Sequence, residues 1–128
     1  MFDKKPKSYT ELLGKTNRIV EGTTIHGDII SPADFRLDGE LIGNFTSNGK
    51  LVIGPAGSVK GDIICNTADI EGKFEGKIKI EDILNIKESA SIIGEVIIGK
   101  LSVEPGANFN ATCVMITKSD KNTSSANE

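Results

Sequence analysis

Tryptophan is absent from the 128 residues, and aromatic side chains are only 5% of them. A β-sandwich core leans on aromatics, so that architecture is disfavoured. No run of 18 apolar residues occurs, which argues against a transmembrane helix. The N-terminal lysines are not followed by an apolar block, so no secretory signal is expected and the default compartment is the cytoplasm. Residue 2 is Phe2 rather than a glycine, which excludes N-myristoylation. There is a single histidine, His26, and only two cysteines, Cys65 and Cys113. A lone imidazole makes a metal site improbable, because such sites want several converging donors. The net charge of −3 offers no general attraction to nucleic acid.

What the chain does contain is a repeat. The pattern apolar, any residue, Gly, polar, apolar occurs as Ile25-His26-Gly27-Asp28-Ile29 and Leu41-Ile42-Gly43-Asn44-Phe45. It returns as Val59-Lys60-Gly61-Asp62-Ile63, Phe74-Glu75-Gly76-Lys77-Ile78 and Ile92-Ile93-Gly94-Glu95-Val96. A last copy, Phe109-Asn110-Ala111-Thr112-Cys113, has Ala where Gly is expected. The central positions are separated by 16, 18, 15, 18 and 17 residues. A period of this size signals a stacked repeat architecture.

Apolar pairs precede the pattern, as in Phe35/Leu37, Leu51/Ile53, Leu84/Ile86 and Leu101/Val103. The step to the next strand is six positions at Ile53–Val59, Ile86–Ile92 and Val103–Phe109, and four at Leu37–Leu41 and Ile70–Phe74. The two lengths differ by two residues, which is the side-chain period of a strand. The buried face therefore stays buried through both kinds of link. These spacings predict an all-β solenoid of six coils, with approximate bounds 19–33, 34–49, 50–67, 68–82, 83–99 and 100–116. Each coil has about three short strands and cannot fold alone.

Residues 1–18 carry five basic and two acidic side chains and read as a flexible basic tail. Residues 19–116 carry eight basic and fourteen acidic side chains. Residues 117–128 hold no apolar residue larger than Ala and read as a disordered polar tail. Carboxylates recur once or twice per coil at outward positions, which reads as a solvated acidic face. His26 also falls outward. Cys65 and Cys113 fall in phase with inward residues and read as small buried hydrophobes, about three coils apart and beyond disulfide reach. Gly54-Pro55-Ala56-Gly57-Ser58 lacks the Lys and the helix of a phosphate loop and reads as a turn.

On its repeated Gly-centred pattern, and on links such as Val103-Glu104-Pro105-Gly106-Ala107, residues 19–116 resemble the bactofilins, a family of bacterial cytoskeletal proteins. The resemblance implies a single-stranded, right-handed, roughly triangular parallel β-helix of six windings. It also implies end-to-end polymerisation, without nucleotide, into non-polar filaments. Such filaments commonly sit on the inner face of the cytoplasmic membrane and recruit cell-wall enzymes. The family places an apolar anchor, often Phe, near the junction between subunits.

The two open ends of a β-helix carry unpaired backbone groups and an apolar cross-section. No polar cap is evident in the last coil. Phe109, Leu101 and Val103 at one end, and Ile19 and Ile25 at the other, are therefore the expected assembly residues. Met1 and Phe2, followed by Lys4, Lys5 and Lys7, resemble the membrane-targeting tail of some bactofilins. The expected partners are other copies of the chain, the anionic inner membrane surface, and cell-wall enzymes or membrane proteins. No cofactor, metal or catalytic residue is nominated. The competing reading is a left-handed β-helix acyltransferase or hydratase with a six-residue repeat, which the four-residue links interrupt. A polysaccharide-binding or polysaccharide-cleaving β-helix would want longer loops.

Overall fold

The computed structural model describes residues 16–116. Within them the chain forms twelve strands. The first coil holds β1 (Thr16–Ile19), β2 (Thr24–His26) and β3 (Ile29–Ser31). The second holds β4 (Asp34–Leu37), β5 (Glu40–Ile42) and β6 (Phe45–Ser47). From there neighbouring strands fuse around the corners. The run continues as β7 (Lys50–Ile53), β8 (Ser58–Cys65), β9 (Thr67–Ile70), β10 (Lys73–Ile86), β11 (Ser91–Val103) and β12 (Asn108–Met115).

Every pairing between these strands is parallel and joins one coil to the next. The result is a β-solenoid of six turns with three walls. The first wall stacks β1, β4, β7, β9 and the segments 83–86 and 100–103. The second stacks β2, β5 and the leading parts of β8, β10, β11 and β12. The third stacks β3, β6 and the later parts of those same four strands.

Alternation turns every second side chain inward, and the register lines these side chains up in columns. One column runs Ile19, Leu37, Ile53, Ile70, Ile86, Val103. Another runs Ile25, Leu41, Val59, Phe74, Ile92, Phe109. Links of four and of six positions thus join the same two columns, as the parity of the sequence requires. In the longer links the two extra residues form a turn, closed by Gly57 N–H donating to the Gly54 carbonyl at 2.8 Å and Ala90 N–H to Lys87 at 3.0 Å. Burying each of these aliphatic side chains contributes about 2 kcal/mol. The ring of Phe35 meets that of Phe45 edge-on, with centroids 5.2 Å apart.

The pattern's glycines form a column at the corner between the second and third walls. Gly27, Gly43, Gly61, Gly76 and Gly94 all have φ between +134° and +151°, a region that side chains with a Cβ rarely adopt. A Cβ on Gly61 would land on the carbonyl oxygen of Gly43, and the same clash recurs at each later glycine of the column. Ala111 completes the column in register with Gly94. It does so without a positive φ, so the last coil turns this corner differently.

Two details depart from the sequence reading. Strand β1 begins at Thr16, inside the stretch read as the N-terminal tail. Asn17 takes the inward place in register with Phe35, where a polar residue gives no apolar signal. It remains exposed in this end coil, and its Nδ2 donates to Ser31 Oγ at 3.1 Å. Asp38, read as part of a solvated face, is buried. Arg36 and Arg18 bind its carboxylate at 2.9 and 3.5 Å, and this pairing offsets its desolvation.

Candidate assembly interface

The five residues named as an assembly surface lie on the two terminal coils. Ile19 and Ile25 belong to the first coil, and Leu101, Val103 and Phe109 to the last. Each pairs with an inner coil on one side only: Ile19 with Leu37, Ile25 with Leu41, Leu101 with Leu84, Val103 with Ile86 and Phe109 with Ile92. Among the described residues, strands β1, β2, β3 and β12 likewise have a single partner strand each. Their outer edges present the backbone donors and acceptors of a parallel ladder, a surface on which a further strand can add.

Exposure follows from this. The middle members of the inward columns are sealed from solvent, whereas Ile19, Ile25, Leu101 and Phe109 are half-buried and Val103 is exposed. Further residues share these end layers. Ile29 joins Ile19 and Ile25 at the first coil, and Cys113 and Met115 join Phe109 at the last. Their signal was the strand parity, which also placed Cys113 inward.

The two ends differ in chemistry. The last coil offers Leu101, Val103, Ala107, Phe109, Cys113 and Met115, all apolar. The first coil offers Ile19, Ile25 and Ile29 beside the hydrogen-bonded pair Asn17 and Ser31. Charge borders the apolar cross-section at both ends. Asp38 with Arg18 and Arg36 flanks the first coil. Lys87 and Glu104, 3.8 Å apart, flank the last, where Glu104 also accepts from the Glu88 N–H at 2.8 Å.

Groups with nucleophilic or ligating potential are dispersed. His26 is exposed. Cys65 and Cys113 are both free. Burial pushes the Cys65 thiol up to about 12, although backbone contacts to Leu51 and Thr67 act in the opposite direction. Burial also raises the Cys113 thiol. Neither is therefore primed as a thiolate. Among the described residues no three His, Cys, Asp or Glu side chains converge as a metal site. No helix among them is long and apolar enough to cross a membrane.

The outward acids serve the backbone more than the sequence suggested. Asp28 accepts from the Asn44 N–H at 3.1 Å, and Asn44 in turn accepts from the Asp62 N–H at 3.0 Å. Asp34 does the same for Lys50 at 3.1 Å. A short acceptor after the corner glycine thus ties the first coil to the second and the second to the third, and Asp34 ties the second to the third on the first wall. The proposed membrane residues Met1, Phe2, Lys4, Lys5 and Lys7 lie outside the described residues.

Comparison with known proteins agrees with this architecture. No solved structure matches the chain. A curated relative, bactofilin BacO of Myxococcus xanthus, is 24% identical over 94 residues, covering 73% of this chain and 75% of the relative. Residues 17–114 match the family described as "Bactofilin: Polymer-forming cytoskeletal". That match spans all six coils and most of the chain, and the protein belongs to the bactofilin family.

Proposed function

We propose that the chain is a cytoskeletal scaffold subunit that polymerises end to end, without nucleotide, through its terminal coils. The observation that carries this reading is that, among the described residues, nothing covers either end of the solenoid. Each combines a free strand edge with an apolar cross-section, and the last is built from Leu101, Val103, Phe109, Cys113 and Met115. Stacking Ile19, Ile25, Phe109 and their neighbours against a second copy removes apolar surface from water and pairs the open ladders. The family description, polymer-forming cytoskeletal, supports the same reading and weighs against an acyltransferase or hydratase.

In this proposal the N-terminal segment attaches the polymer to the anionic inner face of the cytoplasmic membrane. Met1 and Phe2 supply a small apolar anchor, and Lys4, Lys5 and Lys7 each add about 1 kcal/mol near an anionic surface. A single tail holds weakly. A filament carrying one per subunit binds many times over. Clients among cell-wall enzymes and membrane proteins use the same avidity along the filament. Electron microscopy of purified protein in nucleotide-free buffer tests the core of the reading, and protein that stays monomeric at all concentrations refutes it. Co-sedimentation with anionic liposomes tests the tail. Phe2→Ala and the double variant Lys4→Ser/Lys5→Ser should each lower the bound fraction, and equal binding by all three proteins removes the tail from the account.

A further inference from the structure

The end-to-end reading leaves the walls of the solenoid unused, and one wall is unlike the others. On the third wall the register aligns two outward columns. The nearer to the glycine corner runs Asp28, Asn44, Asp62, Lys77, Glu95, Thr112. The second runs Ile30, Thr46, Ile64, Lys79, Ile97, Val114. Four of those last six are apolar. Ile30 is 81% exposed, Val114 53% and Ile64 48%, and Ile97 is half-buried. Four aligned apolar residues from the first coil to the last, interrupted by Thr46 and Lys79, are more than scattered surface hydrophobes explain.

We propose that this wall pairs two copies of the chain side by side in antiparallel orientation. The charges select both the occupant and its direction. A two-fold axis along the wall's strands sets the first coil against the last and the third against the fourth. Each column then faces itself reversed. Ile30 meets the second copy's Val114, Thr46 meets Ile97, and Ile64 lies on the stem of Lys79. In the other column Asp62 meets Lys77, Asn44 meets Glu95, and Asp28 meets Thr112. No like charges face each other.

The parallel arrangement fails on the same residues. It sets each coil against itself and exchanges the columns, so Lys77 meets Lys79. Asp28, Asp62 and Glu95 would then bury their carboxylates against Ile30, Ile64 and Ile97, at a desolvation cost. An anionic bilayer is a poorer occupant, because Asp28, Asp62 and Glu95 outnumber Lys77 and Lys79 on this wall and leave it net negative.

The test is charge reversal in the full-length protein, read by sedimentation velocity and by rod width in negative-stain electron microscopy. Wild-type protein should show paired rods. Lys77→Glu and Asp62→Lys should each lower the paired fraction by at least about tenfold, through like-charge juxtaposition. The double variant Asp62→Lys/Lys77→Glu restores complementarity and should recover pairing to within about threefold. Val114→Lys, opposite Ile30 at the far coil, gives an independent loss. Asp62, Lys77 and Val114 are all exposed, so thermal melts should stay close to wild type. Filament length should not change, which separates this surface from the end junction. Wild-type rods that are single, single variants that pair normally, or a double variant that fails to recover would each overturn the proposal. So would binding to phosphatidylglycerol vesicles that Ile30→Asp abolishes, since the stripe would then meet lipid.

Discussion

Ile86 and Val103 occupy adjacent coils of one inward column, paired in register between β10 and β11. Ile86 is 0% exposed and Val103 is 43% exposed. Position in the coil does not separate them. Ile86 has a coil on either side, and Val103 is in the terminal one. Among the described residues, the exposed members of the end layers are thus inward residues covered by a coil on one side only. Phe109, above Ile92, stands in the same relation.

Phe109→Arg should leave the monomer folded, because the longer side chain can reach solvent from the last coil. At an end junction the same charge would be buried without a partner, which costs several kcal/mol. Short soluble species by sedimentation and microscopy are expected, with a circular dichroism spectrum like that of wild type. Long filaments from this variant would remove Phe109 from the junction.

The corner glycines should differ sharply in tolerance. Gly61→Ala combines an unfavourable φ with a Cβ on the Gly43 carbonyl, and should cost more than about 3 kcal/mol. At Gly27 nothing lies within 4 Å of the added Cβ. Gly27→Ala carries only the backbone strain, about 1–3 kcal/mol. Urea denaturation of the two variants side by side measures the difference.

Asn44 joins the second coil to its neighbours on both sides, through its own N–H to Asp28 and its Oδ1 to the Asp62 N–H. Asn44→Ala removes the second bond and should cost about 1 kcal/mol. Asn44→Asp keeps the acceptor but sets a new charge between Asp28 and Asp62. It should therefore lose stability at low salt and regain it as salt screens the repulsion.

Burial pushes the Cys65 thiol up to about 12 in the fold, from an ordinary value of 9.0. The unfolded state therefore loses its proton first as pH rises. Stability should fall as pH rises above about 9 towards about 12. Cys65→Val should abolish that component, read as a smaller drop in urea midpoint between pH 7 and pH 10. The buried thiol should also resist thiol reagents in native protein at pH 8. Ready modification there would show that the coil opens.

The six-fold repeat, the all-β class and the inward columns were legible in the residues. Alternation has a period of two, and the linkers differ by two, so parity alone assigns each aliphatic side chain to the inside. The same rule put Cys65 inside and His26 outside. Polar residues with inward or buried places were not legible. Asn17 meets Ser31 from another wall of its own coil, and Asp38 meets Arg36 two positions away and Arg18 from the neighbouring coil.

What the sequence determines by itself is therefore the unit: a coil of fifteen to eighteen residues, with its inward aliphatics and its corner glycine. The tertiary structure decides what coils do to one another. It requires Gly61 because the Gly43 carbonyl fills the space of its Cβ. It makes Asp28 and Asn44 acceptors for the next coil's backbone. It also gathers Ile30, Ile64, Ile97 and Val114 into one stripe and leaves Val103 exposed at an end. These are contacts between residues sixteen or more positions apart. Their register follows from parallel stacking, which no local pattern within one coil contains.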